Sequence, residues 1–289
     1  MANPAPRIDF PDDSGISDRQ YRLWKEMLEN RTGVRIAPDR DRFARGQIAR
    51  RMAELDVRDP DTYFREVLET LSGNAEWGLL LDRLLNKETR FFRHRDSFEY
   101  LEQRISERLA RSELAGTLSA WSVGCSTGEE SYSLSMTLYA ACNAAGHRPR
   151  FGVMGTDISR EALQTARRGI YRDSAMTGLS VGEKLRFFVP EGPDHCRVAD
   201  DLRHRTGFIE SNILESVSPP FADAMDIIFC HNVLIYFRRW RRRQVVSRLV
   251  ASLKVGGLLL VGPGELSDWV PPGLERDRYP GVQAYVRIE

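Results

Sequence analysis

The chain has 289 residues, 42% of them hydrophobic and 29% charged, with a formal net charge of +1. This is an ordinary globular composition with room for one large domain or two modest ones, and it gives no overall attraction to nucleic acid or other polyanions. No apolar run approaches the roughly 20 residues that span a bilayer, segment 1–15 lacks the apolar stretch of a signal peptide, and Cys125, Cys142, Cys196 and Cys230 lack the spacing of a metal site or redox pair.

Residues 1–16 read as a disordered lead-in. Between 17 and 85 only helical spacing occurs. Ser17 or Asp18 suits the cap of a first helix carrying Tyr21, Trp24 and Leu28 at helical intervals. Asp39 suits the cap of a second, whose stripe is Ala44, Ile48, Met52 and Leu55. Arg42 and Arg50 project roughly opposite that stripe, with Arg45 on its flank. Such a face is either solvated or a docking surface for an acidic protein or nucleic acid. A third helix starts near Asp61 and uses Phe64, Val67 and Leu68; a fourth covers 77–85. The next run, Asn86-Lys87-Glu88-Thr89-Arg90-Phe91-Phe92-Arg93, packs charges against two aromatics. A helix over 97–109, capped by Ser97, then connects into the second domain.

From Leu118 the pattern alternates strands and helices, the mark of a mostly parallel sheet. The first unit is a strand over 118–123, a turn bracketed by Gly124 and Gly128, and a helix that opens on Glu129-Glu130. Glycines let backbone approach a ligand, and the free N–H groups of a helix start face it. The two acids would repel a pyrophosphate at that place. No Gly-Lys-Ser/Thr follows, so this is not a P-loop. A ligand with ribose hydroxyls, positive charge and no phosphate suits the corner, and S-adenosylmethionine is one. The second strand, 150–156, ends at Asp157, where a carboxylate can accept both ribose hydroxyls. Asp157 is equally placed to cap the helix over 159–168.

Between 170 and 208 the rhythm breaks. Residues 185–189, a Pro-Glu-Gly-Pro turn and 196–198 read as an antiparallel hairpin, and 207–210 returns to the sheet. A buried strand, 226–230, leads into His231-Asn232-Val233-Leu234-Ile235-Tyr236-Phe237. Asn232 has the chemistry to bond an adenine or amino-acid group, and Tyr236 to present a hydroxyl. A helix over 240–253 begins with an arginine run that reads as solvated. Gly256-Gly257 ends it, a strand covers 258–261, and 283–288 reads as the final edge strand.

Taken together, Glu88 through Arg93, Ser126-Thr127-Gly128-Glu129-Glu130, Asp157-Ile158, Gly169-Ile170-Tyr171, Asn212 and Phe229 through Phe237 resemble the chemotaxis receptor glutamate methyltransferases, the CheR family, over about 18–288. The resemblance implies an α/β class I S-adenosylmethionine-dependent methyltransferase sheet, Rossmann-like, with a small antiparallel β subdomain inserted at about 183–206. An all-α domain, 17–90, would precede it and dock on the receptor, with 91–115 connecting to the methyltransferase domain, 116–289. It also implies a cofactor pocket formed by Lys87, Thr89, Arg93, Gly124, Glu130, Asp157, Asn212, Ile213, His231 and Asn232. Arg93 and Tyr236 would reach the transfer site, and Arg42, Arg45 and Arg50 would meet the receptor's methylation helices. S-adenosylmethionine would be consumed, S-adenosylhomocysteine released and a glutamate methyl ester formed.

The chain departs from the family pattern at Lys87, where Asn is common, at His231, where Arg often stands, and at Ser131, where Pro is common. The turn around 190–195 is short for a member that docks on a receptor's C-terminal peptide tether, so no tether is expected. The implied enzyme is a cytoplasmic monomer with no metal, no nucleic-acid partner and no membrane insertion. A glutamate carboxylate, with a reference pKa of about 4.3, is ionised at neutral pH and needs no general base. The rivals are a methyltransferase of another substrate and a cofactor-sensing adaptor without turnover. The run Asn232-Val233-Leu234-Ile235-Tyr236 lacks the Pro-Pro-aromatic run of amino-methylating relatives.

Overall fold

The computed structural model describes residues 15–70, 72–114, 116–148, 150–215, 223–266 and 269–289. The expected lead-in therefore lies, through residue 14, outside the described residues. The chain divides into two compact units, Met1–Asn86 and Lys87–Glu289.

In the first unit four helices, α1 (Asp18–Thr32), α2 (Asp41–Glu54), α3 (Pro60–Glu69) and α4 (Gly73–Leu84), share one core. Ser17 and Gln20 close a capping box on α1. Trp24, fully buried, packs at a tilt on Tyr63 and edge-on against Phe64. Asp39 does not cap α2. It sits in a 3-10 turn, Pro38–Arg40, from which the helix continues without a side-chain cap. Leu55 and Leu68, expected in the core, are exposed, and Tyr63 with Val67 forms the buried face of α3 instead. Helix α3 starts at Pro60, next to the expected Asp61, and Asp59 caps it by accepting the N–H groups of Asp61 and Thr62. The polar knot of this unit is Glu76, which accepts both forks of Arg51 at 2.8 and 2.7 Å and the Tyr63 hydroxyl at 2.6 Å. Burial works against the ion, yet those donors hold the Glu76 carboxyl below its usual range.

The second unit opens with α5 (Arg95–Ala110), β1 (Leu118–Val123), α6 (Glu129–Ala144), β2 (Phe151–Asp157), α7 (Arg160–Arg168), β3 (Ile170–Arg172), α8 (Val181–Phe187), β4 (Phe188–Pro190), β5 (His195–Val198) and α9 (Asp200–Arg203). It closes with β6 (Thr206–Glu210), β7 (Met225–Cys230), α10 (Arg239–Ser252), β8 (Leu253–Val261), β9 (Leu274–Tyr279) and β10 (Val282–Arg287). The main sheet runs β6-β2-β1-β7-β8-β10-β9, parallel from β6 through β8, with β10 antiparallel to both its neighbours. Counted along the chain this is 3-2-1-4-5-7-6, a doubly wound Rossmann-like sheet whose strand order reverses beside β1. Strand β1 is buried on both faces: Leu118 and Ala120 join the core with α5 and α6, and Trp121 and Val123 the core with α10. A second, antiparallel sheet, β3-β5-β4, stands in the insertion.

Several elements differ from the sequence expectation for local reasons. Helix α5 starts at Arg95 behind a left-handed His94, not at Ser97, and lies within the second unit rather than as a free connector. Ser159 caps α7, and Asp157 instead accepts the Ser159 N–H. Leu185 belongs to α8, a capping-box helix, so only 188–190 pairs as strand. Gly256 and Gly257 lie inside β8, where the pairing with β7 shifts register between Met225 and Ile227. The edge strand is β9, whose Leu-Glu-Arg-Asp-Arg-Tyr sequence buries only Leu274 and so hides its period; β10 is paired on both sides.

Candidate active site

The parallel strands β1, β2, β6 and β7 end along one edge, and the chain turns there four times. After β1, Gly124 adopts φ +66°, and a Cβ on it would lie 2.5 Å from Val233 Cγ2. Gly128 adopts φ +96°, with Ala166 Cβ 2.8 Å from any added Cβ. Both positions exclude a side chain on conformational and steric grounds. Phe92, His94, Ser126 and Asn232 hold positive φ without being glycine, and all four belong to these turns or to the segment joined to them. Such backbone persists only where surrounding contacts over-determine it.

Asp157 ends β2. Its Oδ2 accepts the Ser126 N–H and its Oδ1 the Ser159 N–H, each at 2.8 Å. The carboxylate is thereby held by two backbone donors at the end of β2. Asn212 follows β6, beside Asp157, whose carbonyl accepts from Ser211 N–H. Asn212 Oδ1 accepts the Leu214 N–H, and the Ile213 and Leu214 carbonyls accept from Arg248.

Glu130 lies in the first turn of α6. Ser122 Oγ donates to its Oε1 at 2.8 Å, and His231 Nδ1 is 3.5 Å from its Oε2. Burial pushes the Glu130 carboxyl up to about 8, opposed by Ser122 and reinforced by Glu265. Glu129 is buried in the first turn of α6 and accepts from Thr127 Oγ1 at 2.6 Å, which closes the turn. His231 is 6% exposed, and neither ring nitrogen has a hydrogen-bond partner among the described residues. Its ring packs against those of His94 and Phe229. Burial, then His94 and Arg93, hold its pKa down to about 3, so it is neutral.

Asn232 shares its Oδ1 with His94 Nε2 at 3.2 Å. The loop from Asn232 to Tyr236 hangs on Glu265, a residue that sequence reasoning missed. Glu265 is 4% exposed and accepts the N–H groups of Gly262, Asn232 and Ile235. Its only signal in the sequence was an acid following Gly-Pro-Gly directly after a strand. Tyr236 ends the single turn Leu234–Tyr236 and is partly exposed.

The segment carrying Thr89 and Arg93 is pinned to α6 by the Phe92 N–H, which donates to Ser133 Oγ at 2.9 Å. Phe91 packs edge-on against Tyr171 and Phe188, so both aromatics of this run are core residues. Arg93 Nη1 donates to the Glu88 carbonyl, and its charge acts on both Glu130 and His231. Thr89 is partly exposed. The Lys87 side chain turns to Glu161 on α7 at 2.6 Å, and its carbonyl accepts from Ser126 Oγ in the glycine turn. In the first unit Arg42 and Arg50 are exposed, whereas Arg45 binds Asp18 and the Ile16 carbonyl and lies over the Tyr21 ring.

This donor set fits S-adenosylmethionine. A buried carboxyl with no salt-bridged Lys or Arg among the described residues suits a positive group, a fixed carboxylate at the end of β2 suits a ribose, and two glycines open the backbone between them. Fold and site together define an S-adenosylmethionine-dependent methyltransferase. Residues 87–270 match the family described as CheR methyltransferase, SAM binding domain. The chain is 33% identical over 257 residues to the chemotaxis protein methyltransferase of Salmonella typhimurium, covering 86% of this chain and 84% of that protein. It is 28% identical over 270 residues to chemotaxis protein methyltransferase 1 of Pseudomonas aeruginosa, covering 92% and 95%. Among solved structures, a TehB-like S-adenosylmethionine-dependent methyltransferase from Corynebacterium glutamicum is 15% identical over 66% of this chain and 95% of that one, with a TM-score of 0.34. The chain belongs to the CheR methyltransferase family and methylates in chemotactic adaptation. No helix among the described residues is long and apolar enough to cross a membrane.

Proposed function

We propose that this protein is a cytoplasmic monomer that methylates glutamate side chains on the helical cytoplasmic domain of a chemotaxis receptor. The observation that carries this reading is Arg93, a cation placed where its charge acts on Glu130 and His231, in a site whose buried imidazole is neutral and far from general-base range. That pattern suits a substrate which arrives already ionised.

The bound cofactor supplies an electrophilic methyl group on a sulfonium. The chain's own residues then have separable tasks. Gly124 and Gly128 admit the ligand to the backbone. Asp157 accepts ribose hydroxyls, and Glu130 meets the positive amino-acid end. Asn212, Ile213, Asn232 and Thr89 complete the pocket, with His231 in its wall and Lys87 contributing through its carbonyl. Arg93 orients the substrate carboxylate, and Tyr236 donates a further hydrogen bond to it. Transfer forms a carbon–oxygen bond and breaks a carbon–sulfur bond, with no proton to move. Carboxylate charge declines on the way to the transition state, so Arg93 works by placement and an over-tight ion pair would slow the step.

In the first unit Arg42 and Arg50 are the docking cations, and Arg45 braces α1 against α2. The short turn between β4 and β5 suits a member without a peptide tether. The test is methyl transfer to a receptor cytoplasmic fragment by Arg93→Ala. A fall of about 100-fold in kcat/KM with cofactor affinity retained supports the role; an unchanged rate overturns it.

A further inference from the structure

Residues 238–243 read Arg-Arg-Trp-Arg-Arg-Arg. They form the cap and first turn of α10, which holds no acidic residue. Cations at a helix N-terminus oppose its dipole, so this placement works against the helix. Several of the arginines also contact the fold: Arg242 Nε donates to the Phe237 carbonyl at 3.0 Å, Arg241 lies over the Trp240 ring at 4.7 Å, and Arg243 lies over the Trp269 ring at 5.4 Å. Arg238, Arg239 and Arg243 are exposed. Trp240 is 58% exposed and Ile235 48%.

The position of the run is as telling as its charge. Helix α10 follows β7, so it starts at the carboxyl edge of the parallel strands, the edge that carries Glu130, Asp157 and Asn232. Tyr236 stands two residues before Arg238. We propose that Arg238, Arg239, Trp240 and Arg243 form a docking surface for the acidic face of the protein helix that carries the reacting glutamate. This rests on the glutamate-methylation reading above and adds how the glutamate is chosen.

A helix that offers one glutamate to Arg93 and Tyr236 shows residues three, four and seven positions away on the same face, about 5–10 Å along its axis. Acids at those positions meet the guanidinium groups, whose planar forks match carboxylates. Trp240 and Ile235 supply apolar contact, and Trp and Arg are the residue types that dominate interface energetics. The surface therefore favours glutamates with a second acid one or two turns away. An anionic membrane would need a wider apolar face than two exposed side chains provide.

The test uses the full chain, an Arg239→Glu/Arg243→Glu variant, Trp240→Ala, and Arg239→Lys/Arg243→Lys as the charge-retaining control. Affinity for a labelled receptor cytoplasmic fragment is read by anisotropy with S-adenosylhomocysteine present, beside KM, kcat and cofactor affinity. The charge reversal is expected to raise Kd and KM for the fragment about tenfold, with kcat and cofactor affinity unchanged. Added salt should narrow that gap, and the lysine control should keep most of the affinity. Unchanged Kd and KM in the reversal variant overturn the proposal, as does a wild-type protein that does not bind the fragment. Loss of binding to phosphatidylglycerol vesicles, with fragment affinity intact, reassigns the surface to anionic lipid. A wild-type protein that binds the fragment but transfers no methyl contradicts the function reading, and docking is still decided by Kd.

Discussion

Glu130 Oε2 and His231 Nδ1 face each other across 3.5 Å, each almost out of solvent and neither paired to a fixed counter-charge among the described residues. The groups around them are Arg93 and His94 ahead of α5, Ser122 on β1, Cys230 on β7 and Glu265 after β8. With Glu130 raised to about 8, most of the ligand-free protein is protonated there at neutral pH. A positive ligand favours the carboxylate, so binding below that pH releases a proton. Cofactor affinity is therefore expected to fall by up to about tenfold per unit as pH drops below about 8. Calorimetry in buffers of different ionisation enthalpy reads both the affinity and the proton. Glu130→Gln should bind weakly with a flat profile; a flat profile in the wild type contradicts the assignment. The same raised pKa means that Glu130 favours the fold while protonated, and this contribution is lost as pH rises from about 4.5 through about 8.

Gly124→Ala meets two obstacles, a left-handed backbone and Val233 Cγ2 at 2.5 Å. A loss of about 1–3 kcal/mol of stability is expected, with weaker cofactor binding because Val233 adjoins Asn232. Adding Val233→Ala should recover the steric part and leave the conformational part. Thermal melts of the two variants separate these contributions.

The alternation of β1, the glycine turn and the acid at the end of β2 follow from period, backbone freedom and strand chemistry, so they were legible without coordinates. Glu265 was not, because its role lies in three backbone N–H groups on distant segments. The edge strand β9 was missed since a charged edge need not alternate. Lys87 read as a pocket residue by position, but a side chain's direction depends on Glu161, 74 residues away. Ser97 and Asp157 read as caps by type, and the left-handed backbone at His94 and the nearer Ser159 decided otherwise.

Glu265→Ala leaves three backbone donors without their acceptor, the Gly262 N–H buried and those of Asn232 and Ile235 part-buried, and is expected to cost about 2 kcal/mol, with looser placement of Asn232 through Tyr236. Glu265→Gln keeps one acceptor oxygen and should cost less. Chemical denaturation gives the stabilities, and hydrogen exchange at Asn232 and Ile235 reads the loop directly. Slow exchange there in the alanine variant would contradict the anchoring role.

In the first unit the three arginines should separate. Arg45→Ala is expected to lower stability by about 1–2 kcal/mol, since it loses Asp18 and the Ile16 carbonyl. Arg50→Glu should leave melting unchanged, and both Arg42→Glu and Arg50→Glu should raise KM for a receptor fragment. Equal effects of all three on KM alone would contradict the division.

The most direct measurement incubates the protein with methyl-labelled cofactor and a receptor cytoplasmic fragment, then treats the product with mild base. The expected result is label on glutamate side chains, released by base as methanol, and about 100-fold less label with Arg93→Ala. Base-stable label, or equal labelling by wild type and Arg93→Ala, would contradict it.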